Sequence, residues 1–394
     1  MPSFASSDQR IFSFTGVDED AFTVRDCCTS FAVFGGTGSG KTSGSGQFLA
    51  HNLMRAGFGG LVLTVKPDEA SDWQRWAGAA RRAGDLRFIS AKAAARFDFL
   101  KYEQIRSGDG AGKTFNLVQM FKVIGEQASP LPSSNSGGGD DAYWLSSALD
   151  LIHAIIEVIK AKGEVLSMST IASYVGKVSK AASLAKFLDE LQGLREEVTA
   201  RYQDGYTTMR DASDFITASL FFANHWAGLS ERTTSSILAR AQSLYNSFLY
   251  GEMADIFASG QLDEDLIPEV AFEHGHIIVV DLPVLEWQTL GSVAQSIVKY
   301  VYQKAIERRS GGQSKRPFFI FSDEAQYFVN SADQLFLTTA RSAGCSTIYL
   351  TQNIQNYFLK MGEAATLSML GNGSNPTKVR KVPQDFLQPP EFPC

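Results

Sequence analysis

A short apolar run followed by a glycine-rich loop constrains the fold of this chain more than any other feature. Residues 31–34 predict a buried strand, residues 35–42 (GGTGSGKT) fit the pattern G-x-x-x-x-G-K-T, and a helix is predicted from residue 41 to about residue 56. Glycines in such a loop let backbone N–H groups point at phosphate oxygens, and the helix N-terminus adds partial positive charge. The segment therefore predicts a phosphate-binding loop in an α/β fold; the alternative is a glycine-rich turn that binds nothing.

The chemistry of this loop assigns roles to its last two residues. Lys41 would supply a point charge to the β- and γ-phosphates, and the Thr42 hydroxyl would ligate Mg²⁺. The loop predicts ATP or GTP as the ligand without distinguishing them. The predicted nucleotide-binding residues are Gly35, Gly36, Thr37, Gly38, Ser39, Gly40, Lys41 and Thr42.

A second apolar run, residues 317–322, ends in Asp323 and Glu324. A phosphate-loop ATPase needs one carboxylate at the carboxyl end of the strand beside the loop to hold Mg²⁺, and another to orient or deprotonate the attacking water. Asp323 is the candidate for the metal and Glu324 for the water. The alternative is a strand that ends in an acidic helix cap. Asp281 also follows an apolar run and ranks second for the metal role.

Two polar residues further along the chain are candidates for hydrolysis. Gln352 ends the next apolar run, and its amide would sense the γ-phosphate if that strand neighbours the Asp323 strand. Arg341 lies near the end of the preceding predicted helix. It could stabilise the nucleotide of a neighbouring subunit as an arginine finger, or it could complement the dipole of its own helix.

Strand and helix alternate on both sides of a region that has helical periodicity only. The alternation predicts right-handed βαβ units and a mostly parallel sheet, and apolar steps of three and four predict helices between them. The predicted organisation is a lead-in over residues 1–30, a nucleotide-binding domain over 31–102 and 259–370, an inserted all-α domain over 103–258 with a flexible loop at 127–142, and an irregular tail over 371–394.

Charge and hydropathy limit the partners of this chain. The formal net charge is −6, so a surface for DNA would have to be local, such as the lumen of a ring. We expect no run to approach the ~18–20 apolar residues that span a bilayer. The four cysteines lack metal-ligand spacing, which fits a reducing cytoplasm.

The order of these motifs resembles the HerA/FtsK class of P-loop ATPases, most closely the type IV secretion coupling proteins of the TraG/TraD kind. The segments that carry the resemblance are GGTGSGKT, a second strand ending in KPD, the helical insert, VVDLP, FSDEAQYF and ARSAGCSTIYLTQNIQ, over roughly residues 30–356. The resemblance implies a RecA-like domain that hydrolyses ATP with Mg²⁺ in a homo-hexameric ring, with DNA at its lumen and relaxosome or secretion-channel proteins as partners. It implies that residues 35–42 bind ATP, that Asp323 and Glu324 serve Mg²⁺ and hydrolysis, that Gln352 senses the γ-phosphate, and that Arg341 is a finger candidate.

Members of that family usually carry N-terminal transmembrane helices and continue after TQNIQ with a further strand and helix. We expect neither here, and so expect a cytoplasmic protein or fragment that reaches the inner membrane only through a partner, with a truncated or altered C-terminus that affects hexamer assembly. The leading hypothesis is an ATP-driven DNA translocase of a conjugation or secretion system. The alternatives are a HerA-type DNA-processing or packaging ATPase and a nucleotide-gated docking protein.

Overall fold

A computed structural model describes residues 6–14, 16, 20–36, 38–128, 138–309 and 316–371. The chain divides into two compact units, one formed by Met1–Ala95 with Asp263–Cys394 and the other by Arg96–Leu262. The helical unit begins earlier and ends later than the predicted insert because Phe97 forms an antiparallel bridge to Leu262.

The strands are β1 (Arg10–Ser13), β2 (Ala21–Thr23), β3 (Ser30–Phe34), β4 (Gly59–Leu63), β5 (Leu86–Ser90), β6 (Ile277–Asp281), β7 (Phe318–Ser322) and β8 (Cys345–Thr351). The helices are α1 (Val24–Cys27), α2 (Gln47–Arg55), α3 (Glu69–Ala79), α4 (Phe99–Ile105), α5 (Thr114–Ala128), α6 (Gly138–Lys162), α7 (Met168–Lys177), α8 (Ala181–Gln203), α9 (Met209–Leu220), α10 (Glu231–Tyr245), α11 (Gly251–Phe257), α12 (Pro268–His274), α13 (Val284–Glu307), α14 (Ser331–Thr339), α15 (Gln355–Met361) and α16 (Glu363–Gly371).

The first unit is built on a six-stranded sheet in which every pair of neighbouring strands is parallel. Its strand order is β3-β8-β7-β4-β6-β5, and the predicted α/β fold with a parallel sheet is confirmed. β8 lies between the loop strand β3 and the Asp323 strand β7. Parallel strands present all their carboxyl ends at one edge, which is where α/β folds bind ligands.

Close packing on one face of the sheet fixes the helices that follow β3 and β4. An added Cβ at Gly60 in β4 would lie 2.2 Å from the ring of Phe319, so only glycine lets that ring pack across the strand. Trp73 of α3 stacks on Phe319 with a centroid distance of 5.9 Å. Leu49 and Leu53 of α2 join the same buried cluster, so the helix behind the loop is anchored to the sheet.

The alternating residues 11–14 and 21–24 of the lead-in predict short edge strands that run into the core, but β1 and β2 pair with each other as a separate antiparallel sheet. Their side chains Phe12 and Phe22 stack at 5.1 Å, and Phe12 also packs edge-on against Phe48 of α2 at 5.3 Å. The small sheet therefore covers one side of the helix behind the loop.

The second unit is helical in the part of the chain that the structure describes, and the predicted apolar stripes are largely buried, as at Ile152, Ile156 and Leu191. The predicted loop at 127–142 was too long: α5 continues to Ala128 and α6 begins at Gly138, and residues 129–137 lie outside the described residues. The predicted short strand at 97–100 is also absent, because Asp98 caps α4 by accepting the Lys101 N–H at 2.9 Å.

One helix corrects the expectation about membrane-spanning segments. Residues 141–162 of α6 are long and apolar enough to cross a bilayer by length and composition, and half of an 18-residue stretch within this segment is buried inside the protein. At the other end of the fold, β8 is followed by α15 and α16, so the expectation of no further helix after TQNIQ was wrong, and residue 371 is helical. The rest of the predicted irregular tail, from residue 372, lies outside the described residues.

Candidate nucleotide-binding site

The loop predicted to bind phosphate lies between β3 and α2. Gly38 and Gly40 both have φ of +76°, a left-handed conformation that glycine adopts without strain. Lys41–Gly46 form a wide helical turn, in which the N–H of Gln47 donates to the carbonyl of Thr42. An added Cβ at Gly46 would lie 2.9 Å from Leu350, so this turn sits directly on the sheet. Thr37 lies outside the described residues.

The two predicted motifs meet at the carboxyl edge of the sheet. The ammonium of Lys41 donates to Oε1 of Glu324 at 2.9 Å, and the Thr42 hydroxyl donates to Oδ2 of Asp323 at 2.6 Å. These partners are 283 and 281 residues apart in the sequence. The fold therefore brings a loop lysine and hydroxyl to two consecutive carboxylates.

The surroundings of Asp323 fit the binding of a hard divalent cation. Its side chain is 2% exposed, its Oδ1 accepts the N–H of Glu324 at 3.0 Å, and Lys66 lies 3.4 Å from its Oδ2. Mg²⁺ prefers oxygen ligands and is commonly held by one or two protein groups together with substrate phosphates and water. The Thr42 hydroxyl and the Asp323 carboxylate would hold Mg²⁺, which would neutralise phosphate charge. No cluster of three or more acidic, histidine or cysteine ligands occurs among the described residues.

Glu324 adopts a backbone conformation that non-glycine residues rarely take, with φ of +48° and ψ of +51°. Its carboxylate lies between two donors, Lys41 on Oε1 and Gln326 on Oε2 at 3.0 Å. Burial alone would raise the pKa of this carboxyl, but the hydrogen bonds from Gln326 and Lys41 outweigh burial and lower it. Glu324 is therefore held in its charged form, as a group that orients or deprotonates water requires.

Gln326 is part of this site and was missed by the sequence analysis. Its Oε1 accepts a hydrogen bond from the hydroxyl of Thr351 at 2.8 Å, and the carbonyl of Thr351 accepts the Gly35 N–H at 3.2 Å. A continuous hydrogen-bonded chain therefore joins Glu324 to the start of the phosphate loop. The sequence does place Gln326 two residues after Glu324, but it gives no sign that its side chain turns back.

The remaining predicted residues lie in different places. Gln352 follows β8, which neighbours β7 as its predicted role required, and it lines the same cavity as Lys41 and Glu324. Arg341 lies beyond the end of α14, near the amino end of β8, at the edge opposite the loop. Burial raises the pKa of the nearby Cys28 thiol to about 11, and the positive charges of Arg309 and Arg341 limit this rise. Asp281 accepts a hydrogen bond from Ser90 at 3.2 Å and does not line the cavity.

A cavity of about 1,080 Å³ extends from the phosphate loop between α2 and α3. Lys66 and Glu69 line it beside the loop residues. Glu69 is 7% exposed, its Oε2 accepts the Val65 N–H at 2.7 Å, and its Oε1 has no hydrogen-bond partner. Burial raises the pKa of Glu69 to about 8, and the charge of Asp323 adds to the effect. The cavity is large enough for a nucleoside triphosphate and offers cations, hydroxyls and backbone donors at one end.

Comparison of the fold with solved structures finds several structures of one protein, TrwB. The bacterial conjugative coupling protein TrwB lacking its first 70 residues, in an unbound form, matches with a TM-score of 0.58 and 13% identity, over 93% of this chain and 71% of that one. TrwB in complex with ADP and Mg²⁺ matches with a TM-score of 0.58 and 13% identity, over 93% and 72% of the two chains. TrwB in complex with a non-hydrolysable ATP analogue matches with a TM-score of 0.58 and 13% identity, over 95% and 79%.

No protein-family model and no curated protein matches the sequence. The fold of this chain is that of a RecA-like P-loop NTPase with an inserted helical unit. It is similar in fold to a conjugative coupling protein, and the predicted resemblance is confirmed at that level.

Proposed function

We propose that this protein is a Mg²⁺-dependent ATPase that moves DNA in a conjugative transfer or type IV secretion system. The observation that carries the proposal is the meeting of Lys41 and Thr42 with Asp323 and Glu324 at one edge of the sheet. Phosphoryl transfer to water needs a phosphate cradle, a metal ligand and a carboxylate for the water, and these residues supply all three. The coupling role is supported by the likeness of the whole chain to TrwB, which is described as a conjugative coupling protein.

The residues divide the chemistry among them. Lys41 leaves Glu324 and binds the phosphates, while the loop N–H groups donate to phosphate oxygens. Glu324, then held by Gln326 alone, orients the attacking water and accepts its proton. Gln352 contacts the terminal phosphate from the end of β8. When hydrolysis removes this phosphate, Gln352 loses the contact, and the change is transmitted through the strand. Arg341 precedes β8, at the edge of the sheet opposite the phosphate loop, which is too far away to serve its own site. It would act on the nucleotide of an adjacent copy.

The assembly and partners follow from the same proposal. An arginine supplied in trans requires a second copy beside the site. We propose that the copies form a homo-hexameric ring with DNA in its lumen. Because the net charge is −6, only the lumen would carry a basic surface. The helical unit would meet relaxosome or secretion-channel proteins at the cytoplasmic face of the inner membrane.

The test is ATP hydrolysis by the purified protein with and without single- and double-stranded DNA, in wild type, Lys41→Ala and Glu324→Gln. We expect DNA to stimulate turnover, and both variants to abolish it. An equal rate of ATP hydrolysis with and without DNA would contradict the proposed movement of DNA. Nucleotide binding without turnover in wild type would favour a nucleotide-gated docking protein.

A further inference from the structure

Each of the two carboxylates in the site is paired with a lysine, and only one of these lysines belongs to the phosphate loop. Lys41 pairs with Glu324, and Lys66 lies 3.4 Å from the same Asp323 oxygen that accepts the Thr42 hydroxyl. Lys66 follows β4, the strand next to β7, so it approaches the site from the side opposite β8. The Lys66 ammonium is therefore a second positive charge beside the predicted positions of the metal and the phosphate.

The backbone around Lys66 is held by hydrogen bonds, whereas its side chain is partly exposed. The Glu69 carboxylate accepts the Val65 N–H, and the Glu69 N–H donates to the Lys66 carbonyl at 3.3 Å, which closes the turn. The Lys66 side chain is 43% exposed and lines the cavity, whereas Lys41 is 9% exposed. The contact with Asp323 is longer than an optimal charged hydrogen bond, so this contact holds Lys66 only weakly.

We propose that Lys66 is a second cationic contact for the terminal phosphate of the nucleotide, a role that rests on the proposed function. A Mg²⁺ ion held by Thr42 and Asp323 would draw on the same carboxylate oxygen and weaken its attraction for Lys66. With a triphosphate bound, the charge of the terminal phosphate beside the metal would then attract Lys66. Lys66 then stabilises the charge of the phosphate from the side opposite Lys41, and it distinguishes triphosphate from diphosphate.

The test measures binding rather than turnover. The affinities of ADP and of a non-hydrolysable ATP analogue are measured with Mg²⁺ for wild type, Lys66→Ala, Lys66→Arg and Lys92→Ala. Lys92 is a matched control, because it is an exposed lysine that follows a strand of the same sheet, β5, but does not line the cavity. We expect Lys66→Ala to weaken the analogue about tenfold or more while ADP changes little, as loss of one charged contact predicts. Lys66→Arg should recover part of the loss, and Lys92→Ala should change neither affinity.

The outcomes separate this inference from the proposed function. If wild type binds neither nucleotide, the proposed function itself fails. If wild type binds both and Lys66→Ala keeps the wild-type ratio of the two affinities, the role of Lys66 is overturned. An equal loss of both affinities in Lys66→Ala, with a lower melting temperature, would also overturn it, because Lys66 would then only support Asp323.

Discussion

Lys41 and Glu324 form a salt bridge of 2.9 Å, with side chains that are only 9% and 11% exposed. The phosphate-loop lysine is thus held by the carboxylate that is proposed to act on the water. In the proposed function, phosphate oxygens would compete with Glu324 for the same ammonium group, so nucleotide binding would weaken the salt bridge.

We expect Glu324→Gln to bind a triphosphate analogue several-fold more tightly than wild type, because a neutral amide competes less for Lys41. Hydrolysis should fall about 10²- to 10⁴-fold, since the group that orients and deprotonates water is lost. Titration with a fluorescent analogue and a single-turnover assay measure the two effects. Lys41→Ala is the control and should lose binding. Weaker binding by Glu324→Gln than by wild type would refute the competition.

The pH dependence of hydrolysis should report on Gln326. The pKa of Glu324 lies below its ordinary value of 4.5, so this carboxylate stays charged until the solution is strongly acidic. Gln326→Ala removes the donor to Oε2 and should raise the pKa of Glu324, and the acid limb of kcat/KM should move to higher pH. Asn356→Ala is the control, because Asn356 donates to Thr351 at 3.4 Å without touching Glu324. An acid limb that is the same in Gln326→Ala and wild type would contradict this positioning role.

The turn that follows the phosphate loop packs directly on the sheet, and this packing gives a prediction about stability. A Cβ at Gly46 would lie 2.9 Å from Leu350 and 3.2 Å from the carbonyl of Lys41, so Gly46→Ala must push the turn off the sheet. We expect a loss of about 1–3 kcal/mol in the free energy of unfolding and weaker nucleotide binding. Gly78→Ala in α3 is the matched control. No atom lies within 4 Å of its added Cβ, and it should stabilise the protein by about 0.5–1 kcal/mol. Urea denaturation of both variants decides the point, and equal effects would refute it.

The phosphate loop and the acidic pair could be predicted because each lies within a few consecutive residues. Their meeting depends on the strand order. β8 lies between β3 and β7, and the residues that pair in β3 and β8 are more than 300 positions apart in the sequence. A strand order of this kind leaves no local signal. The contacts of Gln326 with Thr351 and of Lys66 with Asp323 were missed for the same reason, since both depend on which strands become neighbours.

Helix starts were predicted less well than the motifs, as two capping boxes show. The sequence favours Ser71 as a cap, but α3 begins at Glu69, because the Glu69 side chain turns inward to accept the Val65 N–H. The S-x-x-Q pattern that begins at Ser331 predicts a second cap, whereas Asn330 caps α14 and pairs with Asp333 in a capping box. In both cases a local contact of an acidic side chain with a backbone N–H three or four residues earlier decides between neighbouring polar candidates.

Asp333 also takes part in a buried charge pair that ties the acidic motif to the rest of the fold. Lys299 of α13 pairs with Asp333, and both side chains are fully buried. The Lys299 ammonium also donates to the carbonyl of Phe328 at 2.7 Å, just beyond the Glu324 turn. Gln303 and Tyr349 donate to the other Asp333 oxygen, at 2.7 and 2.8 Å. Removing the lysine would leave a buried carboxylate with neutral donors only.

We therefore expect Lys299→Met to lower the free energy of unfolding by about 3–5 kcal/mol, because the uncompensated charge remains in the core. Adding Asp333→Asn should recover part of this loss, since the amide has no charge to compensate. Lys304→Met on the same helix is the control: Lys304 is partly exposed and pairs with Glu307, so its loss should change stability by less than about 1 kcal/mol. Chemical denaturation of the three variants measures these differences. If Lys299→Met costs no more than Lys304→Met, an uncompensated charge at Asp333 does not destabilise the fold and this prediction fails.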